Sequence, residues 1–321
     1  MTGSRQRIVV GIDGSDGARA ALTWALTEAA HRGADVEVVT AFAFDFSWLD
    51  PYSMDRRRIE DIRSDTGTRA RAMVEEAQQD LALATVPGGA DVGVTILIVG
   101  GAPTAHLVQR SEGAALLVVG SRGRGAVRST IAGSVALHCS AHAKCPVVVV
   151  HPTPASAEVP PRVVVGLDDS DEGRAALRAA VAQAGAVGAR VDAVVGYETP
   201  DYWVDLYAVV SPLSELQAQA QARGVAVVTE VLGAETLESG QVRVVTREGS
   251  PARVLVREAE GARLLVVGSR SHNELAGIVF GSVALRCVMH APCPVLVVRG
   301  TADPAAVPSP RSTTDAVVTT G

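Results

Sequence analysis

With 321 residues, of which 47% are hydrophobic and 20% charged, the chain has the length and composition of about two globular domains. The formal net charge of −6 disfavours nucleic-acid binding over the whole surface, because such surfaces depend on clustered cations. No stretch approaches the roughly 18 uninterrupted apolar residues of a membrane span, and the apolar run at residues 8–12 is too short for a signal peptide. The sequence therefore predicts a cytoplasmic protein without membrane contact.

The chain opens with a βαβ pattern. A short aliphatic strand is predicted to end at Asp13, and a helix follows a turn in which Ser15 has the chemistry of an N-cap. Gly33 ends that helix, and a second strand covers residues 36–41. Right-handed crossovers of this kind indicate a parallel sheet.

The middle of the first half is less regular. Residues 42–66 lack a clean hydrophobic period and are predicted to form a loop over the site or at an interface. A polar helix over 64–83, a strand over 92–99 and a helix over 104–112 follow, and a last strand covers 147–151. With the strand and helix described next, the unit has the order β-α-β-α-β-α-β-α-β.

The stretch at residues 116–146 carries the chemistry. Its buried strand ends in a loop with three glycines and two arginines, and Gly133-Ser134 then opens a helix. Glycine permits close backbone approach, and a helix start presents unpaired N–H groups with a partial positive charge. The sequence therefore predicts an anion site, most naturally for a phosphate chain.

The same stretch returns at residues 264–294. Gly268 takes the place of Gly120 and Gly281 that of Gly133, at one constant offset, which indicates an internal duplication. The predicted domains are residues 1–151 and 162–300. A proline-rich linker over 152–161 joins them, and a disordered tail over 301–321 follows.

Cysteines and histidines are common in metal and redox sites, but here both are interpreted as structural. The cysteines lie at matching positions of the repeats and lack C-x-x-C spacing, so buried free thiols are predicted at Cys139, Cys145, Cys287 and Cys293. His138 and His142 have the i, i+4 spacing of some zinc pairs, but no third ligand is evident. No metal site is predicted.

Asp13 is a candidate ligand residue. In open parallel sheets, ligands bind at the carboxyl ends of strands where the winding reverses, and both Asp13 and the loop at Gly120 lie at such ends. Asp13 would accept hydrogen bonds from ribose hydroxyls or an adenine amine. The alternative, that Asp13 only caps the next helix, stays open.

The pattern Gly120-x2-Gly123-x9-Gly133-Ser134 resembles the ATP-binding signature of the universal stress protein family, G-x2-G-x9-G-[ST]. Other features similar to that family are Gly11-Ile12-Asp13, Gly101-x-Pro103 and the terminal run that starts at Cys145-Pro146. The resemblance covers residues 7–151 and 162–299, as in a tandem member. It implies an α/β fold of two tandem five-stranded parallel sheets, Rossmann-like and adenine nucleotide alpha hydrolase-like, each with strand order 3-2-1-4-5.

The resemblance also implies a function and a set of site residues. It implies a nucleotide-dependent regulator of stress or growth arrest with ATP as its ligand, Mg²⁺ being left open. Carried over position by position, the residues expected to bind the nucleotide in the first repeat are Gly11, Ile12, Asp13, Ala41, Gly120, Arg122, Gly123, Gly133, Ser134 and Val135. Those of the second repeat are Asp168, Gly268, Arg270, Gly281, Ser282 and Val283.

The second repeat departs from the signature, since Ser271 stands where the middle glycine is expected. If the loop requires a positive φ there, a side chain costs about 1–2 kcal/mol. The first loop carries Arg122, Arg124 and Arg128, whereas the second has Arg270, neutral His272 and Glu274. A loop charge of about +3 should attract a triphosphate more than one near zero. The N-terminal site is therefore expected to bind ATP well, and the C-terminal site weakly or not at all.

Enzymatic alternatives are less well supported. The chain has no G-x4-G-K-[ST] motif, so the P-loop mechanism is excluded, and one carboxylate does not make a catalytic site. Ser134 lacks the G-x-S-x-G context of a nucleophile and is predicted to be an N-cap. No catalytic residue is predicted. A slow ATPase of the same fold and a structural adaptor with empty sites stay open as alternatives.

The aliphatic runs at residues 147–150 and 295–298 would form exposed edges of five-stranded sheets. Unprotected edges invite strand pairing. The two domains are therefore predicted to pair within the chain about a pseudo-twofold axis, and a homodimer is also left open.

Overall fold

The computed structural model describes residues 5–42, 56–80, 86–124, 132–152, 161–198, 213–270 and 280–300. These residues form two units, one on either side of the predicted linker. The predictions for Ser271, His272, Glu274 and Arg128, most of the linker and the C-terminal tail lie outside the described residues.

The first unit alternates strands and helices in the predicted order. Its elements are β1 (Arg7–Ile12), α1 (Asp16–Arg32), β2 (Asp35–Phe42), α2 (Arg56–Gln78), β3 (Val94–Gly100), α3 (Pro103–Arg110), β4 (Leu116–Gly120), α4 (Ser134–His142) and β5 (Val147–Val150). The strands pair in parallel in the order β3-β2-β1-β4-β5. This confirms the predicted α/β fold and its strand order.

The second unit repeats the arrangement. Its elements are β6 (Arg162–Gly166), α5 (Asp171–Val187), β7 (Arg190–Tyr197), α6 (Leu213–Leu232), the short α7 (Glu235–Glu238), β8 (Val242–Glu248), α8 (Pro251–Glu258), β9 (Leu264–Gly268), α9 (Ser282–His290) and β10 (Val295–Val298). Its parallel strand order is β8-β7-β6-β9-β10, so both units place the first and fourth strands side by side.

The start of α2 differs from the prediction. The helix begins at Arg56, within the segment 42–66 that was predicted to be a loop, and it ends at Gln78 rather than near residue 83. Its first described turns are exposed or half-buried, and the first buried residue is Gly67. A helix whose first turns touch no core shows no apolar period there, which is why the pattern predicted a later start.

Aliphatic residues fill the cores. Val9, Val10, Leu117 and Val118 of the adjacent strands β1 and β4 are completely buried. Ala21, Leu22, Ala25, Leu26 and Ala29 form the buried face of α1, as their spacing predicts. Among the described residues, no helix combines the length and the apolar composition that crossing a bilayer requires.

The four cysteines are buried free thiols, as predicted. Burial raises the pKa of Cys139, Cys287 and Cys293 to about 12. Because the thiolate is the reactive species, iodoacetamide at pH 8 should leave all four unmodified in the folded protein and alkylate all four in denaturant. Mass spectrometry of the two samples tests this, and rapid modification of any cysteine in the folded chain would contradict it.

A buried carboxylate near the amino end of β2 joins three elements of the first unit. Glu37 is 7% exposed and accepts hydrogen bonds from Nη1 of Arg7 at 3.1 Å and Nε of Arg110 at 2.7 Å. Burial acts to raise the pKa of Glu37, but the hydrogen bond from Arg110 and the charges of both arginines outweigh it, so the pKa lies below its ordinary value of 4.5. The second unit has a related arrangement at Asp192, which Arg162 of β6 and Arg243 of β8 contact.

Candidate functional site

The candidate site of the first repeat lies where β1 and β4 end next to each other. Val10 pairs with Val118, so the turn after β1 and the glycine loop after β4 emerge at the same edge of the sheet. This edge is the point at which the strand order reverses, since β2 lies on the other side of β1. Open parallel sheets bind ligands at such an edge.

Asp13 connects the turn to the loop. Its Oδ1 accepts hydrogen bonds from the backbone N–H and the hydroxyl of Ser15, at 3.0 and 2.6 Å. Its Oδ2 accepts one from the backbone N–H of Arg124 at 2.8 Å. The N-cap of α1 is Ser15, which accepts from the N–H of Ala18 at 3.2 Å. Asp13 therefore does more than support a helix cap, because it fastens the glycine loop to the sheet edge.

Close backbone approach explains the glycines of this site. A Cβ at Gly120 would lie 2.6 Å from the carbonyl of Gly17, and a Cβ at Gly123 would lie less than 3.0 Å from Oδ2 of Asp13. Both distances are too short for a side chain to fit. Neither Gly120 nor Gly123 has a positive φ. The expectation that the loop needs glycine for a left-handed conformation is therefore replaced by a requirement for space. Gly17, at the start of α1, was missed by the sequence analysis, although a Cβ there would collide with the carbonyl oxygen of Arg122.

The start of α4 corrects another prediction. Its N-cap is Gly133, which has no side-chain capping bond, and Ser134 is the exposed first residue of the helix rather than the cap. The N–H of Gly133 donates to the carbonyl of Ser121 at 2.7 Å. In the second repeat Gly281 caps α9 in the same way and Ser282 is its first residue. Both helices therefore start without a side-chain cap, as an anion-binding end would.

The cavity at the first site is small. It measures about 60 Å³ and is lined by Ile12, Asp13, Gly14, Thr40, Ala41, Thr66, Arg69, Ala70, Met73 and Arg124. The guanidinium of Arg124 lies directly over Gly14, where even a Cβ would collide with it. Arg124 therefore partly fills the opening beside Asp13, and a ligand that enters must displace this side chain.

The equivalent cavity of the second repeat is much larger, at about 400 Å³. Its lining includes the predicted residues Asp168, Gly268, Arg270 and Gly281, together with Gly166 and Leu167 at the end of β6. Val283 also lines it, whereas Ser282 does not. Asp168 repeats the turn geometry of Asp13, since its Oδ1 accepts from the N–H and hydroxyl of Ser170.

Smaller side chains on α6 and β7 contribute to the larger volume of the second cavity. The helices α2 and α6 correspond through a repeated ion pair to the preceding helix, Arg19–Glu76 in one unit and Arg174–Glu230 in the other. Met73 of the first repeat therefore corresponds to Val227 of the second, and Ala70 corresponds to Gly224. On the strands, Ala41 corresponds to Gly196. All six of these residues line the two cavities.

The glycine-loop ends of the two sites differ in charge. In the second repeat Oε1 of Glu172, at the start of α5, lies 3.6 Å from Nε of Arg270, and the Glu172 side chain packs against Gly268. The first repeat has Gly17 at the position of Glu172. The arginine that corresponds to Arg122 is therefore paired with a carboxylate in the second repeat.

Only some of the residues predicted for the first site line its cavity. Ile12, Asp13 and Ala41 line the first cavity, whereas the remaining predicted residues lie around it in the strands, the loop and α4. Gly11 serves packing, because a Cβ there would lie 2.9 Å from Leu107 of α3. Arg69 and its counterpart Arg223 line the two cavities and were missed, since they belong to helices without a motif.

Two histidines on α4 are close to each other. The rings of His138 and His142 stack with centroids 4.3 Å apart, and Nδ1 of His142 lies 3.0 Å from the carbonyl oxygen of His138. The described part of the chain contains no group of three or more His, Cys, Asp or Glu side chains arranged to hold a metal ion.

Comparison with known proteins gives a consistent result. The model of the universal stress protein family matches residues 4–151 and 161–299. A universal stress protein of Mycobacterium tuberculosis H37Rv is 31% identical over 296 residues, 91% of this chain and 96% of the relative. A second one from the same strain is 34% identical over 197 residues, 60% of this chain and 67% of the relative.

A solved structure supports the same fold. The crystal structure of a universal stress protein from Archaeoglobus fulgidus superposes with a TM-score of 0.63 at 18% identity, and the match covers 92% of this chain and 97% of that one. The duplicated glycine pattern, the strand order and two consecutive family matches agree. The chain belongs to the universal stress protein family, and it carries two copies of the family's domain in tandem.

Proposed function

We propose that the chain is an ATP-binding regulator of stress or growth arrest, in which the site of the first repeat is the stronger one for ATP. The observation that carries the proposal is a pair of hydrogen bonds to Asp13. One comes from the backbone N–H of Ser15, before α1, and the other from the backbone N–H of Arg124, in the glycine loop. The two bonds hold a carboxylate, suited to ribose hydroxyls, beside a loop suited to phosphates.

The charges around the two cavities support a higher affinity for ATP at the first site than at the second. Arg69 and Arg124 line the first cavity with Asp13 as the one lining carboxylate among the described residues. At the second site Asp168 and Asp169 balance the charges of the lining residues Arg223 and Arg270, and Glu172 pairs with Arg270. The first arrangement therefore attracts a triphosphate more strongly than the second. The binding of ATP would also move Arg124 from Gly14 onto a phosphate and so open the small first cavity.

As a regulator, the chain would use ATP as a ligand rather than as a consumed substrate. A ligand shifts a conformational equilibrium only by its difference in affinity for the two states. The displacement of Arg124 is the local event that would create such a difference. Mg²⁺ would accompany the phosphates, and pairing of the two domains within the chain belongs to the same proposal.

Calorimetric titration of the full-length chain tests the proposal. We expect about one ATP to bind tightly per chain. Asp13→Asn should weaken that binding about tenfold, because an uncharged amide makes a weaker hydrogen bond to a ribose hydroxyl than a carboxylate does. Asp168→Asn is the matched control, since it occupies the same turn in the second repeat, and it should leave the tight site unchanged.

Two results would contradict the proposal. Two equal ATP sites, or a loss of the tight site in Asp168→Asn alone, would overturn the order of the sites. Nucleotide released by heating freshly purified protein should be ATP. Release of mainly ADP or AMP, together with turnover of added ATP, would favour the hydrolytic alternative instead.

A further inference from the structure

We propose that the cavity of the second repeat binds a neutral, hydroxyl-bearing ligand of nucleoside size and discriminates against the corresponding triphosphate. This inference rests on the proposed function only in assuming that the switch point of each sheet is a ligand site. It assigns the second repeat a ligand class of its own.

The cavity has the size and walls that such a ligand needs. A volume of about 400 Å³ falls within the range of small-molecule pockets, roughly 300–1,000 Å³. Much of the lining is aliphatic, with Val194, Val195, Val227 and Leu255 among its residues. The smaller residues Gly196, Gly224 and Val227 provide the room that Ala41, Ala70 and Met73 occupy in the first repeat. A flat ring system would pack between these walls with its apolar faces covered.

One carboxylate oxygen is available to select for hydroxyl groups. Oδ1 of Asp168 accepts two hydrogen bonds from Ser170, whereas Oδ2 has no partner among the described residues. In the first repeat the corresponding oxygen of Asp13 accepts from the N–H of Arg124. Asp168 is half-buried at the cavity wall, so a ligand hydroxyl pair would meet an unused charged acceptor there.

The remaining charges disfavour a phosphate chain. Asp168, Asp169, Arg223 and Arg270 are the charged residues that line the cavity in the described part of the chain. Glu172 adds a third carboxylate at the end where phosphates would lie, and its contact with Arg270 compensates the guanidinium that would otherwise attract them. A ligand with several negative charges would have to displace Glu172 or approach it, and either costs binding free energy. A neutral ligand meets no such cost.

The test measures adenosine and ATP binding by calorimetry to the full-length Gly123→Ala variant, in which the first site is impaired. We expect one adenosine per chain, and an affinity for ATP at least tenfold lower than that for adenosine. Glu172→Gln should raise the affinity of the second site for ATP about tenfold, because it removes one opposing charge, and should change adenosine binding less than twofold.

A second pair of variants tests the cavity itself. Val227→Met places the larger side chain of the first repeat in the second cavity and should weaken adenosine binding about tenfold. Val225→Met makes the same change two positions earlier on α6, at a residue that is 37% exposed and outside the cavity, and should have no effect. Unchanged circular dichroism and melting temperature establish that the variants are folded.

The outcomes separate this inference from the proposed function. If adenosine does not bind to Gly123→Ala while ATP binds tightly to the unmodified chain, the inference is overturned and the proposed function stands. If adenosine binds with the expected response to Val227→Met while ATP binds nowhere, the proposed function fails and the inference stands. An ATP affinity that does not respond to Glu172→Gln would overturn the role of charge in this selection.

Discussion

Gly123→Ala is expected to lower the affinity of the first repeat for ATP about 30-fold while leaving the fold intact. The added Cβ cannot coexist with Oδ2 of Asp13, so either the carboxylate or the loop must move. Either movement breaks the hydrogen bond from the N–H of Arg124 to Asp13. Overpacking of this kind costs about 1–3 kcal/mol, which corresponds to roughly 5- to 150-fold in affinity. Titration with ATP measures the change.

Gly133→Ala serves as the control for an added methyl group in the same signature. Its Cβ would lie 3.5 Å from the carbonyl oxygen of Ser121, an ordinary contact, so the expected loss is only a few fold. A double-mutant cycle isolates the cause. If the collision with Asp13 is responsible, Gly123→Ala should have little further effect in the Asp13→Ala background. Additive losses would show that the glycine matters for another reason.

Glu37→Gln is expected to destabilise the first unit by about 1–3 kcal/mol. The substitution removes the charge that Arg7 and Arg110 share in a nearly buried position. Breaking a fully buried ion pair costs about 3–5 kcal/mol. A smaller value is expected here because the side chains of both arginines are partly exposed, at 30% and 39%. Glu76→Gln makes the same change in the exposed pair with Arg19 and should cost less than about 1 kcal/mol.

The effect of Glu37 should depend on pH with a definite sign. The pKa of Glu37 is lower in the folded chain than its ordinary value of 4.5, so the folded state favours the ionised form. Its contribution is therefore complete above that value and is lost as the pH falls through the lower pKa of the folded state. Urea denaturation of the unmodified chain and of Glu37→Gln should give free energies of unfolding that converge in acid. A difference that grows in acid would contradict this account.

The sheet could be predicted from the sequence because its signals are local and repeated. The strands around Val10 and Val118 are aliphatic runs that end at glycines or at Asp13, and the family resemblance gave their order. The start of α2 at Arg56 could not be predicted, because its first turns are solvated and carry no period. Helix boundaries that contact no core leave little trace in the hydrophobic pattern.

The predicted part of the site is the part that a backbone motif defines. Asp13, Gly120 and Gly123 lie together because short spacings at strand ends place them there. Arg69 and Arg223 belong to helices that carry no motif, and Glu172 is one of two acidic residues in the first turn of α5, so only the packing reveals their place at the sites. The volumes of the cavities likewise depend on side chains such as Met73 and Val227, which look like ordinary core residues in the sequence.

The turn shared by Asp13 and Asp168 bears on how ligand sites are counted in duplicated chains. In both repeats the aspartate accepts a hydrogen bond from the serine that caps the next helix, so it has a structural role that does not depend on a ligand. A repeat that no longer binds a ligand would therefore still have this aspartate. Counting ligand sites by the presence of the aspartate would overestimate their number. The position of Gly17 and Glu172 is a better marker, because only the second repeat carries a carboxylate there, paired with the arginine of the glycine loop.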